Sequence, residues 1–145
     1  MRFKKQLESN LVSLLYESIR LHQRLPHKRV LEVFTNRFPN AQFVTWKRLQ
    51  NRIWEADFLS QDQEFESRFL ENGQWLLTKT YKSLSSMPKR VRNRVQPKLT
   101  QARVKKSYLL STPTKTCYEV QFYNGGSVSK LKFDLKGEFL EETEF

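Results

Sequence analysis

Residues 69–75 read FLENGQW, and residues 133–139 read FDLKGEF. Each stretch puts Phe before a polar turn, Gly inside it and an aromatic after it. Asn72-Gly73 and Lys136-Gly137 are hairpin signals, because glycine takes the positive φ that such turns need. The two stretches lie 64 positions apart. Extended outward at that offset, RIWEADFLSQDQEFESRFLENGQWLLTKTY (52–81) lies over TCYEVQFYNGGSVSKLKFDLKGEFLEETEF (116–145) without a gap. Trp54 meets Tyr118, Glu55 meets Glu119, and Phe58 meets Phe122. Phe69 meets Phe133, and Trp75 meets Phe139, both at expected core positions. Further upstream the offset falls to 61, where Val30, Phe34, Phe38 and Ala41 face Val91, Val95, Leu99 and Ala102. A gapless register of aromatics and turn glycines predicts a duplicated unit.

Each copy opens with a helical period and then alternates. Val30, Phe34 and Phe38 recur every four residues, bracketed by Pro26 and Pro39. Val91 and Val95 follow Pro88, with Ser86 as the expected N-cap and Pro97 as the stop. Apolar Trp54, Ala56 and Phe58 then alternate with Glu55 and Asp57, and Tyr118, Val120 and Phe122 with Glu119 and Gln121. Such alternation marks half-buried antiparallel strands. Strands are predicted near 42–48, 51–59, 63–70 and 74–81, and near 103–110, 116–123, 127–134 and 138–145, with a further turn at Asn124-Gly125-Gly126. The N-terminus adds an amphipathic helix over 1–24, with Leu7, Leu11, Leu14, Leu15 and Ile19 on one face. The predicted divisions are 1–24, 25–82 and 83–145, with the two units packing as one domain.

With 145 residues, 38% of them apolar, the chain can build a packed core. No apolar run reaches the roughly 18 residues of a membrane span. Glu8, Ser9, Asn10 and Ser13 interrupt the apolar stretch that a signal peptide would need, which points to the cytoplasm. Cys117 is the one cysteine, so no disulfide framework or multi-thiolate zinc site is expected, and it reads as a small buried hydrophobe.

No catalytic constellation, Gly-rich phosphate loop or metal-ligand spacing stands out, so neither enzyme activity nor cofactor nor metal is expected. His22 and His27 are separated by Pro26 and share no helix face. Glu64 and Glu66 share a strand face with no third group and read as solvated.

The net charge of +11 is concentrated. Residues 82–115 carry ten basic groups and no acid, while 116–145 carry three basic and six acidic groups. The densest run contains Lys89, Arg90, Arg92, Arg94, Lys98, Arg103, Lys105 and Lys106, a candidate site for phosphates of nucleic acid or an anionic surface. Arg90 and Arg94 fall on one helix face.

Phe38-Pro39-Asn40-Ala41, Trp54-Glu55-Ala56-Asp57-Phe58, Tyr118-Glu119-Val120-Gln121-Phe122 and Phe133-Asp134 … Gly137-Glu138-Phe139-Leu140-Glu141 together resemble the pattern of PepSY-like domains. These are related in shape to β-lactamase inhibitor proteins. The resemblance covers about 30–145. It implies an α+β fold: two tandem helix-plus-four-stranded antiparallel meander repeats forming a curved sheet with helices on one side, plus the extra N-terminal helix. It implies no enzyme activity, and the name-giving relatives bind and block another protein. Members are usually exported, which would place the chain in the periplasm or outside the cell. The basic run at 82–115 is not part of the family pattern.

The function expected is therefore a non-enzymatic binding module, inhibitory or regulatory, that presents a sheet face to a protein or peptide. Glu55, Glu66, Arg68, Glu119, Lys130 and Lys132 are the residues expected on that face. The alternative is anion or nucleic-acid binding through 89–106.

Overall fold

The computed structural model of the chain describes residues 10–15 and 25–145. Residues 10–15 are helical, with Leu11, Val12, Leu14 and Leu15 exposed. The rest of the expected N-terminal helix, including Leu7, Ile19 and His22, lies outside the described residues. The main body runs α1 (Lys28–Arg37), β1 (Gln42–Leu49), β2 (Ile53–Ser60), β3 (Gln63–Leu70) and β4 (Trp75–Tyr81). It continues with α2 (Lys89–Val95), β5 (Arg103–Ser111), β6 (Thr116–Asn124), β7 (Ser127–Phe133) and β8 (Phe139–Glu144). Short 3₁₀ turns at Leu84–Ser86 and Gln96–Thr100 flank α2. The chain is an α+β protein built on one eight-stranded antiparallel sheet, ordered β1 to β8 as a continuous meander.

Local chemistry sets the helix ends. The His27 ring accepts a hydrogen bond from the Arg29 amide at 3.1 Å and caps α1, and Arg37 sits in its last turn, where a cation suits the helix dipole. Helix α2 starts after Pro88, whose fixed φ suits helix entry. Ser86 does not cap it: that hydroxyl donates to the Ser83 carbonyl at 2.8 Å and closes the preceding 3₁₀ turn. Pro97 has no amide hydrogen for a helical ladder, and α2 ends at Val95 and tightens into the 3₁₀ turn.

Register decides which side of the sheet each side chain takes, since directly paired antiparallel residues point the same way. Trp46, Ala56, Ser67, Thr78, Ser111 and Thr116 pair in succession across β1 to β6. Period two then puts Val120 and Phe122 on the same side as Ala56 and Phe58. Both helices pack on this side. Val30 and Phe34 of α1 close over Trp54, Ala56, Phe58 and Phe69. Val91 and Val95 of α2, with Met87, close over Val120, Phe122, Leu131 and Phe133. Between the two cores the row is small and polar. Ser67 and Thr78 hydroxyls meet at 2.9 Å, and Thr78 also accepts from the Trp75 indole at 2.9 Å. The sheet therefore carries two cores rather than one.

The two quoted turns are built alike. The Leu70 amide donates to Gln74 O at 2.8 Å and the Asp134 amide to Glu138 O at 2.9 Å. A register shift falls between Arg68 and Phe69 in one strand and between Lys132 and Phe133 in the other. Gly73 has φ +94 and Gly137 φ +89. A Cβ on Gly73 would sit 2.9 Å from Arg29 Cγ, and one on Gly137 2.9 Å from Arg90 Cβ. Each hairpin thus lies flush against the first turn of its helix. The aromatics that follow differ in depth: Trp75 is half-buried with Arg37 stacked on it, whereas Phe139 is 40% exposed. Phe139 departs from the expected core position because β8 is an edge strand, covered on one side only, whereas Trp75 stands on the internal strand β4.

Gly73→Ala and Gly137→Ala should each cost about 2–3 kcal/mol, from a left-handed backbone plus a clash. Gly125→Ala, with φ +64 but open space around it, should cost about 1 kcal/mol. Urea unfolding of the three variants checks the order.

Candidate binding face of the sheet

The opposite side of the sheet carries the polar half of every alternating strand. Among the described residues, the helical segments that contribute to the cores lie on the other side. On this face, charged residues pair across neighbouring strands, mostly with opposite signs, with Asp57 and Glu66 as a like-charged pair and two tyrosines at the centre. Lys47 pairs with Glu55 and Glu55 with Arg68. Asp57 pairs with Glu66 and Glu66 with Lys79. Tyr81 pairs with Tyr108, Tyr108 with Glu119, Glu119 with Lys132, and Lys132 with Glu141.

The side chains join into one ladder. Lys47 Nζ lies 3.2 Å from Asp57 and 3.7 Å from Glu55. Arg68 Nε donates to Glu55 at 3.0 Å, and Lys79 Nζ lies 3.3 Å from Glu66. The Tyr81 hydroxyl donates to Glu66 at 3.2 Å. Across the middle of the sheet the Tyr81 and Tyr108 rings meet edge to face, and Lys79 Nζ sits 4.8 Å from the Tyr108 ring centre. The Tyr108 hydroxyl donates to Glu119 and accepts from Gln121. Lys132 Nζ lies 3.7 Å from Glu119 and 3.1 Å from Glu141. The ladder runs from β1 to β8.

Its acids are deep. Glu55, Glu66 and Glu119 are buried, although each stands on the nominally open face. Neighbouring Arg68, Lys79, Lys132 and the two tyrosines cover them. Charges this buried persist only when paired. Glu66 Oε2 has no oriented hydrogen bond, but Lys79 and Arg68 at 3.3 and 3.6 Å compensate it electrostatically. Glu66 is thus not the solvated acid expected, and Glu55 and Asp57 are the third groups that were missing. The carboxylates of Glu55, Asp57 and Glu66 come within 4.8 Å of one another, a spacing a metal could use. Lys47, Arg68 and Lys79 already balance the three charges, so the trio reads as the centre of the ladder.

Of the residues expected on this face, Arg68, Lys130 and Lys132 remain partly exposed, and Glu55, Glu66 and Glu119 act beneath them. Lys47, Asp57, Lys79, Tyr81, Tyr108 and Glu141 were not singled out in advance. Their signal was strand alternation combined with hairpin register, which turns a list of charges into pairs.

The structure divides the basic run. Arg90 Nη1 lies 3.2 Å from Glu138, Lys98 Nζ lies 3.4 Å from Glu142, and Arg94 stacks on Phe139, so these three serve the helix side. Lys89 and Arg92 stand exposed on α2. Arg103 pairs with Tyr123 and Lys106 with Gln121, which turns both toward the polar face. Arg103 and Lys105 flank the Tyr123 ring at 4.9 and 5.6 Å. Cys117 is buried, and burial pushes its thiol pKa up.

Burial first, and then the adjacent carboxylates, raise the hydroxyl pKa of both Tyr108 and Tyr81. A raised tyrosine pKa stabilises the fold fully below the unfolded value of about 10 and is lost above it, as the unfolded chain ionises first. Stability should therefore fall from about pH 10 upward, and Tyr108→Phe should flatten that fall. Absorbance at 295 nm during alkaline unfolding checks this, with Tyr81 and Tyr108 ionising only as the chain unfolds.

No family model matches the chain, and no curated protein matches it. Solved structures do. The chain is similar to a DUF2874 family protein from Bacteroides uniformis, at TM-score 0.71 and 18% identity over 83% of this chain and 90% of that one. A second DUF2874 family protein, from Bacteroides ovatus, matches at TM-score 0.71 and 20% identity, over 83% and 88%. A BLIP-like protein from Bacteroides fragilis matches at TM-score 0.70 and 23% identity, over 83% and 86%. At these identities the likeness is one of fold: the chain has a BLIP-like fold, shared with DUF2874 family proteins.

Proposed function

We propose that the chain is a non-enzymatic binding module, inhibitory or regulatory, that offers the polar face of its sheet to a protein or peptide. The ladder from Lys47 to Glu141 carries this reading. Buried ion pairs contribute little net stability, so a face that keeps so many of them needs another reason. A sheet face held in one arrangement by paired charges binds without paying to order itself. Arg68, Lys130 and Lys132 would make the contacts, and Glu55, Glu66 and Glu119 would fix their positions.

We also infer a tandem origin, with PepSY-like repeats over 25–82 and 83–145 packing as one domain. The matched hairpins support it: Gly73 abuts Arg29 and Gly137 abuts Arg90, at the 64- and 61-residue offsets of the sequence. A periplasmic setting is part of the proposal. It accords with the family habit and with a structural neighbour from Bacteroides eggerthii, a proposed periplasmic protein at TM-score 0.70 and 18% identity.

A photo-cross-linking residue placed at Tyr123, on the polar face, tests the binding reading against one placed at Asn93 on α2. In cells of the source organism, the first should capture a discrete protein and the second should not. Capture from Asn93 alone, or from neither position, would contradict it.

A further inference from the structure

One end of the polar face opens into a groove of about 920 Å³, within the range of built ligand sites. Its floor is β2, β3 and β4, through Asp57, Phe65, Glu66 and Tyr81. Its two walls are β1 and β5, and each is irregular there. The register of β1 shifts between Gln42 and Thr45, and that of β5 between Val104 and Lys106. Bulges bend a strand and re-aim its side chains, and they cluster beside functional sites.

The first bulge carries Phe43 at φ +55 and 80% exposed. A lone exposed aromatic is ordinary. A bulky residue held in the left-handed region is not, and so exposed a ring finds little in its own chain to offset the strain. The second wall is cationic. Lys105, Lys106 and, from the segment after β4, Lys82 line it. Among the described residues, none of the three has a carboxylate at ion-pair distance. The acids below are already compensated, Asp57 by Lys47 and Glu66 by Lys79. Glu64 alone adds an unpaired negative charge at the rim. The groove thus offers an apolar post on one wall and uncompensated positive charge on the other.

We propose that this groove receives an extended acidic segment of a protein partner, with carboxylates on Lys82, Lys105 and Lys106 and one apolar side chain against Phe43. The proposal rests on the protein-binding reading and names the chemistry of the partner. Complementary charge selects and steers such a segment, while the apolar contact fixes its register.

The test uses the full chain and NMR titration with a 12-residue Glu/Asp-rich peptide carrying one central Leu. Amide shifts should map to Phe43, Lys82, Lys105 and Lys106. The double reversal Lys105→Glu with Lys106→Glu should weaken binding by about tenfold or more. The reversal Lys89→Glu with Arg92→Glu, which changes the net charge equally on α2, should change it less than about twofold. Phe43→Gly removes both the strain and the ring, so it should leave the fold as stable or more so while weakening binding. Equal losses in both reversals would overturn the proposal, since only net charge would then matter. So would shifts mapping elsewhere, or groove binding of a 12-nucleotide single strand or phosphatidylglycerol vesicles without peptide binding. A partner still cross-linked from Tyr123 in the Lys105→Glu, Lys106→Glu chain would defeat this groove and leave the binding face standing. Loss of cross-linking in the unaltered chain would remove the face itself.

Discussion

Four residue pairs between β4 and β5 hold this molecule together as one sheet: Thr78 with Ser111, Lys79 with Leu110, Thr80 with Leu109 and Tyr81 with Tyr108. On the helix side the chain builds two separate cores, one under α1 and one under α2. Neither core alone is large for a globular domain. The pairing at the middle lets each half shield the sheet edge of the other, so that only β1 and β8 are left as edges. The Lys82 amide extends the junction by donating to Ser107 O at 3.1 Å. On the polar face the same junction lets charge compensation pass from Glu66 through Lys79, Tyr81 and Tyr108 to Glu119.

The two faces of the sheet divide the work. Stability comes from the helix side, where Phe34 meets Trp46 and Phe58 edge to face at 5.1 Å and Leu131 and Phe133 are fully enclosed. The polar side lowers it, since burying Glu55, Glu66 and Glu119 costs desolvation that pairing only roughly offsets. The result is a surface with a defined arrangement of charge. The bulged strands β1 and β5 then open one end of that surface into the groove that Phe43 and Lys105 wall.

Most of the fold was legible in the sequence because it follows from local rules. Turn glycines at 73, 125 and 137 and period-two alternation located all eight strands to within about two residues. The valines and Phe34 gave the helix faces. Ser86 does not cap α2 because Pro88 itself holds the N-cap position, two residues further on. The binding face was legible only in part. Glu55, Glu66 and Glu119 read as surface acids because one strand taken alone gives a side chain's direction but not its cross-strand cover. Likewise a run such as KRVRNRVQPKLTQARVKK reads as one patch. The chain turns at Gln96–Thr100, and Glu138 and Glu142 claim Arg90 and Lys98 while Lys105 and Lys106 reach the other side. Phe43 carried no sequence signal, since a positive φ at a bulge is a product of register.

The dependence of both halves on the β4–β5 junction is most directly tested by equilibrium urea unfolding read with two local probes. All three tryptophans, Trp46, Trp54 and Trp75, lie in the first half, and the single thiol, Cys117, lies buried in the second. If the shared sheet makes the halves one cooperative unit, tryptophan fluorescence and thiol reactivity will report the same midpoint. Two separated midpoints, with one half persisting while the other is unfolded, would contradict it.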